Sequence, residues 1–349
     1  MAEPTISAGF AKALMDLAVS KGASRQLLIE RSHIDHDDLA DQDNRIPLVN
    51  YLALMKAGKE LCNEPALALQ FGEAYSMTDM SIVGLVCEAS ETTAEAMVQA
   101  NRYVRLMLDA DGGETADWFE LIRKEDGVWL ELTSDIYINY PELTESGFAR
   151  MVSGSARLFG DNPLARAVHF THQEPGYRAE YDRIFKAPLV FGSDRNALLI
   201  DEAFMSFKLP PANRYVFGIL SERAEALLKS LESSKTIKGQ VESLLIPILH
   251  TGDLGMELIA KNLGLSRQTL YRRLKAEGVS YEKLLDELRR KMAVHYLNGK
   301  KVSVKETSYL VGFSDPSSFS RAFKRWTGSP PGMTGSPTSR PRRPTKAAI

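Results

Sequence analysis

One pattern occurs twice between residues 254 and 328 and leaves the chain few ways to fold there. An amphipathic helix, a tight turn at a glycine, an N-cap residue and a basic second helix follow one another in GMELIAKNLGLSRQTLYRRLKAEG, residues 255–278. They recur in SVKETSYLVGFSDPSSFSRAFKRWTG, residues 303–328. The turn glycines are Gly264 and Gly312. Two short helices joined in this way make a helix-turn-helix, a form that sets its second helix in the major groove of DNA.

The spacing of apolar residues sorts the two faces of each unit. In the first, Leu258, Ile259, Leu263, Leu265, Leu270 and Leu274 recur at helical intervals and predict one buried face. Ser266 is the expected N-cap, because its hydroxyl can accept from an orphan backbone N–H. With Leu270 and Leu274 turned inward, Arg267, Gln268, Tyr271, Arg272 and Lys275 point outward. In the second unit Ser303 and Glu306 have the spacing of a capping box. Leu310, Phe313, Phe319, Phe323 and Trp326 are the expected core there. Ser314 or Asp315 caps the next helix, and Pro316 sits where a first-turn proline is tolerated. Ser317, Ser320, Arg321, Lys324 and Arg325 are left facing out.

Residues 281–298, with Leu284, Leu285, Leu288, Met292 and Leu297 as apolar positions, predict a helix of about 27 Å between the units. Units so joined would place their second helices in successive turns of the major groove, about 34 Å apart. An exposed Arg-rich helix is in most proteins a solvated face. The doubled unit, its caps and its basic faces together favour a nucleic-acid partner.

Residues 240–328 resemble the DNA-binding domain of the AraC/XylS family of bacterial transcription regulators. The resemblance is carried by IAKNLGLSRQTLYRRLKAEG, by LLDELRRKMAVHYL and above all by LVGFSDPSSFSRAFKRWTG. It implies base contacts from Gln268, Tyr271 and Arg272 in the first recognition helix, and from Ser317, Ser320 and Arg321 in the second. Two places depart from the family pattern. Thr307 and Ser308 stand where an apolar residue and an alanine are usual, which implies a looser second unit. Ser329-Pro330-Pro331-Gly332-Met333 replaces the usual Pro-Ser-x-Tyr-Arg, which removes the basis for a last short helix.

The net charge of −2 hides a division. From Gln240 onward there are nineteen Lys and Arg against nine Asp and Glu, a balance of +10, which leaves −12 for the rest. An acidic module followed by a basic one implies a polyanionic partner for the second only. Two cysteines, Cys62 and Cys87, are too few for a disulfide framework and lack zinc-type spacing. No apolar run has membrane-spanning length, and Lys12 and Asp16 in the first amphipathic stretch are unlike a signal peptide. The cytoplasm is the expected compartment.

Ahead of the doubled unit the pattern mixes helical and strand periods. Helices are expected over 6–21, 25–31, 47–61 and in the stretch after Pro65, and again over 93–109, 141–159, 177–185 and 212–231. Strands are expected over 82–88, over 118–123 and 128–137 as a hairpin about Gly127, and over 167–171, 189–191 and 198–200. The whole reads as an α/β N-terminal sensor domain, residues 1–232, a polar linker, 233–239, and an all-α C-terminal domain, 240–328. The last has two helix-turn-helix units joined by a linker helix. A Pro-, Ser- and Arg-rich flexible tail, 329–349, carries Arg340, Arg342, Arg343 and Lys346.

The stretch VHFTHQEPGYRAEYDRIFKAPLVFGSDRNALLID, residues 168–201, resembles the N-terminal domain of one AraC/XylS branch, with an arabinose-binding-type domain, that includes ornithine-utilisation regulators. RIPL at 45–48 is a weaker match. The resemblance implies a domain that senses a small molecule and supports self-association; it does not imply arabinose. The partners then implied are double-stranded DNA, a small effector, a second copy of the chain and RNA polymerase, with activation as the family's commoner mode.

No cofactor is implied, and no catalytic constellation is present. His33-x-x-His36 and His169-x-x-His172 lack the i, i+4 helical pairing of a zinc site, and Gly154-Ser155 reads as helix packing rather than as a nucleophile. Trp118, Trp129, Tyr137, Tyr140, Phe170 and Tyr177 are candidate pocket aromatics, though aromatics in strand patterns are more often core. Arg178 and Arg195 would meet an anionic effector, or else the neighbouring Glu180 and Asp194. Two other readings of the N-terminal module stay open: a pure oligomerisation domain, or an enzyme that the DNA-binding half localises.

Overall fold

The fold was obtained as a computed structural model, which describes residues 3–110, 118–160, 164–209, 213–298 and 302–331. It divides into two compact units, Met1–Lys229 and Ser230–Ile349.

The first unit opens with β1 (Thr5–Ser7), α1 (Ala8–Ser20), α2 (Arg25–Ser32), β2 (Arg45–Pro47), α3 (Leu48–Leu61) and α4 (Leu67–Ala74). There follow α5 (Ile82–Glu88), α6 (Thr93–Met107), β3 (Leu108–Asp109), β4 (Phe119–Lys124), β5 (Gly127–Leu132), α7 (Ile136–Asn139) and α8 (Pro141–Phe159). It closes with β6 (Ala165–His169), α9 (Arg178–Phe185), β7 (Leu189–Val190), β8 (Ala197–Ile200) and the start of α10 (Arg214–Ser234).

The strands make two sheets. A small antiparallel one has the order β2-β1-β3, and a larger one the order β4-β5-β8-β6-β7, antiparallel except at β6/β7. In the larger sheet Leu121 faces Leu130, and Leu130 faces Leu198, so the two-residue period sends one set of side chains to a common face. Leu130, Leu198, Ile200 and Val168 pack there with Phe148 and Val152 of α8 and Tyr181 and Phe185 of α9. The other face carries a smaller cluster of Trp129, Ala197 and Leu199.

Four expectations fail in this unit, the first being the helix expected over 93–109, which stops at Met107 where Leu108 and Asp109 pair with β1 as β3. Residues 82–88 form helix α5, not a strand: Ser81 accepts from the Val83 N–H as an N-cap, and a seven-residue apolar run has no period to tell the two apart. The second hairpin strand stops at Leu132; the chain turns and 136–139 is helical. Ile6 belongs to β1, where it pairs with Ile46 and Leu108, so the first helix starts two residues later than its apolar spacing suggests.

The second unit holds the rest of α10, then α11 (Ile237–Ile248), α12 (Met256–Asn262), α13 (Arg267–Ala276), α14 (Tyr281–Asn298), α15 (Val304–Leu310) and α16 (Pro316–Thr327). The expected linker, 233–239, is the end of α10, a two-residue turn and the first turn of α11. Ile237 already lies in the helical core, ahead of the boundary expected at Gln240. One core runs through the unit and takes residues from both helix-turn-helix pairs and from α14. No helix among the described residues is long and apolar enough to cross a membrane. The expected basic tail lies outside the described residues from Gly332 on.

Candidate functional site

The first helix-turn-helix is α12 and α13. The Leu265 N–H reaches back to the Ala260 carbonyl at 2.8 Å, and Gly264 between them has φ +65°, a left-handed conformation that favours glycine. Ser266 accepts from the Thr269 N–H at 3.2 Å and starts α13. Leu270 and Leu274 are buried at i, i+4. That fixes the rotation of the helix, so Arg267, Gln268, Tyr271, Arg272 and Lys275 are all exposed, Tyr271 to 53%. Arg273 is exposed as well, a cation that the expected set omits.

The second unit, α15 and α16, repeats the design. The capping box forms as expected, with Ser303 and Glu306 satisfying each other's backbone N–H groups. Asp315, not Ser314, caps α16, accepting from the Ser317 and Ser318 N–H groups at 3.0 and 2.8 Å. The Ser318 hydrogen bonds hold its carboxyl below the usual range. Phe319 and Phe323 are buried. Leu310 is not part of the core: it is exposed, and Val311 beside it is fully buried, because α15 ends at Leu310 and the chain swings inward. Thr307 and Ser308 are also fully buried. Ser308 donates to the Lys305 carbonyl at 2.6 Å, whereas the Thr307 hydroxyl has no partner.

On the outer face of α16, Ser317, Arg321, Lys324 and Arg325 are exposed. Ser320 is half-buried, and its hydroxyl donates to the Pro316 carbonyl at 2.8 Å, so only its lone pairs remain for another partner. Some of the cations are already engaged. Arg325 pairs with Asp286 at 2.8 Å and Arg267 with Glu257 at 3.1 Å. Arg321 donates to the Ser318 hydroxyl at 3.0 Å. Arg272, Arg273, Lys275 and Lys324 have no carboxylate at ion-pair distance among the described residues.

Helix α14 is more than a spacer. Arg289 donates from Nε to the Val311 carbonyl at 3.1 Å and from Nη2 to the Gly312 carbonyl at 3.2 Å, with its guanidinium 4.8 Å from the Phe313 ring centroid. The turn of the second unit is thereby clamped to the linker helix. At the other end, the Glu277 carboxylate, just past α13, accepts from the Ile237 and Lys238 N–H groups at 2.8 and 2.9 Å and caps α11.

The N-terminal unit holds a cavity of about 390 Å³ bounded by α5, α6, α8, β4 and β5. Of the candidate aromatics, Trp118 and Tyr137 line it; Trp129, Tyr140, Phe170 and Tyr177 do not. Phe170 is core, ringed by Phe148, Tyr181, Phe185 and Phe191. Arg178 pairs with Glu174 and Asp182, and Arg195 with Glu131 beneath the Trp129 ring, so neither meets the partner expected from its neighbours in sequence. His169 and His172 bond Ser193 and a backbone carbonyl, and no group of three metal-ligating side chains converges among the described residues. Sequence reasoning missed Arg150, a buried cation on α8 whose guanidinium packs on the Phe10 and Phe71 rings; its signal was a cation on the apolar face of an amphipathic helix.

Two domain families match the chain. The arabinose-binding domain of AraC transcription regulators, N-terminal, matches residues 22–209, and a helix-turn-helix domain matches 259–335. The ornithine utilization regulator of Pseudomonas aeruginosa is 26% identical over 329 residues, 93% of this chain and 95% of that one. The regulator VirS of Mycobacterium tuberculosis is 29% identical over 198 residues, 56% of this chain and 57% of its own. Among solved structures, the transcriptional regulator CdpR of Pseudomonas aeruginosa is 22% identical, with 76% of this chain and 84% of that one covered and a TM-score of 0.34. With its two capped helix-turn-helix units and an α/β module matched over more than half its length, this chain belongs to the AraC family of DNA-binding transcription regulators, in the branch with an arabinose-binding-type N-terminal domain.

Proposed function

We propose that the chain is a ligand-responsive activator that reads two adjacent major-groove segments with α13 and α16. The observation that carries the reading is the pair of outer faces: Arg272 and Lys275 on one helix and Arg321 and Lys324 on the other project from a single core and form no ion pair with a described carboxylate. Arg272 and Arg321 are assigned to guanine edges, Gln268 to adenine, and Tyr271, Ser317 and Ser320 to further contacts at the bases. Lys275, Lys324, Arg267 and Arg325 hold phosphates, the last two by exchanging a carboxylate partner for one. The N-terminal cavity takes a small effector. An effector switches binding only if its affinity differs between two states of the protein. The relatives' names do not carry arabinose or ornithine to this chain.

Self-association is supported by α10. Of its 21 residues only Ala224 is buried, while Tyr215, Val216 and Ile219 are exposed. A second copy packing on that face would cover them, and Ile219→Glu should then yield a monomer in sedimentation. A wild-type monomer at micromolar concentration would remove the dimer from the reading. Contact with RNA polymerase, the activating mode and a cytoplasmic, nucleoid-bound location are proposed on the likeness to the family alone.

Genome-wide occupancy of the tagged protein, set against an Arg272→Ala/Arg321→Ala double variant, tests the interface. Sharp peaks sharing one motif should vanish in the variant; peaks that persist there would overturn the assignment. On a recovered site, each single alanine should cost about 1–3 kcal/mol and relax preference at one base pair.

A further inference from the structure

A small-molecule site usually presents a few polar atoms that orient its ligand. The cavity of the N-terminal unit has hydroxyls, a thiol and charges in its wall, and each is engaged, inaccessible or at the rim. Ser76 donates to the Asp79 carboxylate at 2.7 Å and lies 2.6 Å from the Thr78 hydroxyl. Thr93 donates to the Phe204 carbonyl, and the Cys87 thiol to that of Ala96 at 3.3 Å. The Tyr137 hydroxyl, Ser155 Oγ and Trp118 Nε1 have no accessible surface. Neither has Arg150 Nη2, and the Arg150 guanidinium packs instead on Phe10 and Phe71. Glu88 and Arg157 are exposed at the rim, where Arg157 donates to the Glu73 carbonyl at 2.8 Å.

What remains for an occupant to touch is carbon and sulfur. Met77, Met97, Leu132, Met151, Phe159 and the Trp118 ring all keep accessible surface in the wall. Three of the six are methionines, whose flexible thioethers adapt to the shape of an occupant and make favourable contacts with aromatic rings. Helix α8 supplies the room. Its Gly147, Met151, Gly154 and Leu158 line the cavity, and offsets of four, seven and eleven residues place them on one helical face. Glycine is among the least favourable residues in a helix interior. No close approach of another backbone requires it here: a Cβ at Gly147 would meet nothing within 4 Å, and one at Gly154 only the Arg157 guanidinium at 3.9 Å.

The volume, about 390 Å³, is more than twice that of the roughly 150 Å³ apolar cavity that takes benzene. It has room for a molecule of about two rings. A sugar, an amino acid or a carboxylate would leave its water behind at such a wall and find no accessible partner in exchange. We propose that this cavity binds a neutral, largely apolar molecule of two-ring size, aromatic by preference, held by shape, dispersion and thioether contacts. The inference rests on the reading of the N-terminal unit as a sensor and names the chemical class it senses.

The test is calorimetric titration of the full chain with 2-acetylnaphthalene and 2-naphthoate, which share a shape and differ in charge, and with L-arabinose and L-ornithine as polar probes. The neutral ketone should bind once per chain, about tenfold or more tighter than the acid, because nothing accessible compensates a carboxylate for its lost water. Its binding should carry a negative heat-capacity change, the mark of buried apolar surface. Gly154→Leu and, separately, Gly147→Leu put a side chain into the open space. Each should lose the ketone while the circular-dichroism melt is kept or raised, since leucine favours a helix interior more than glycine does. If one variant does not fold, the other and the wild-type ratio of ketone to acid decide. Ketone binding at wild-type strength in the folded variants would refute the site. Binding of the acid, the sugar or the diamino acid in preference to the ketone would refute the ligand class and leave the sensor reading standing. Binding of none of the probes would refute this proposal, and a wild type that occupies its DNA sites identically in every growth condition would remove the sensor reading as well.

Discussion

Gly264 and Gly312 occupy the same place in the two units and have the same backbone conformation, φ +65° and +77°, but different surroundings. That makes them a matched pair for substitution by alanine. The left-handed conformation costs a residue with a Cβ about 1–2 kcal/mol. At Gly264 this is the whole cost, since a Cβ there meets nothing within 4 Å. At Gly312 the Cβ would stand 2.4 Å from the Leu249 carbonyl oxygen, which is backbone and cannot rotate aside. Forcing an extra methyl into a filled site adds about 1–3 kcal/mol. Gly312→Ala should therefore destabilise its unit by about 2–5 kcal/mol and Gly264→Ala by about 1–2. Hydrogen exchange read by mass spectrometry on the full chain resolves the two, because it reports local opening in peptides from 237–298 and 302–331 separately from the N-terminal unit. Equal losses of protection in the two variants, or a larger loss for Gly264→Ala, would show that the contact with Leu249 is not the cause and would refute the reasoning.

Other substitutions test the clamp, a cap and an ion pair. Arg289→Ala should raise exchange in α15 and α16 more than in α12 and α13, and Arg289→Lys should fail to restore it, because one ammonium cannot reproduce a planar fork reaching two carbonyls. Ser266→Ala should cost about 1 kcal/mol at the start of α13 and weaken DNA binding through fraying, and an unchanged melt would remove the cap from the account. Hydrogen bonding from Arg183 (2.7 Å) holds the Glu73 carboxyl below its ordinary value. A folded pKa so lowered stabilises the protein above the unfolded value and loses that contribution as pH falls through it. Arg183→Ala should thus lower the melting temperature at neutral pH, with the gap to wild type closing below about pH 4; a gap that persists in acid would point to lost packing instead.

The DNA-binding half was largely readable in the sequence, because its signals are local. Caps at Ser266 and Ser303, turn glycines and i, i+4 apolar pairs each lie within a few residues and agree with one another. Where the reading slipped, at Leu310 against Val311, the error is one residue at a helix end, where periodicity stops being informative. The N-terminal half was readable as α/β but not in detail. Its small sheet joins three short strands separated by up to about a hundred residues, and each, at two or three residues, gives too few positions for an alternation to show. The cavity was not readable, because its walls come from segments spread between Ser76 and Leu209. Gly154 and Ser155 were visible as a pair but read as helix packing, whereas a Cβ at Gly154 would meet only the Arg157 guanidinium, at 3.9 Å.

The single core beneath both helix-turn-helix units bears on the operator itself. Two readers on separate cores would tolerate variable spacing, as independent modules on a string do. Here α13 and α16 share one set of buried side chains, so the distance and angle between them form a fixed gauge. A base pair inserted between the two contacted segments turns one of them by about 34–36° away from its reader. The protein has no slack with which to follow, so the DNA would have to bend or twist back into place. If α13 and α16 read the two segments as proposed, the operator is specified by the phase between its halves as much as by their letters.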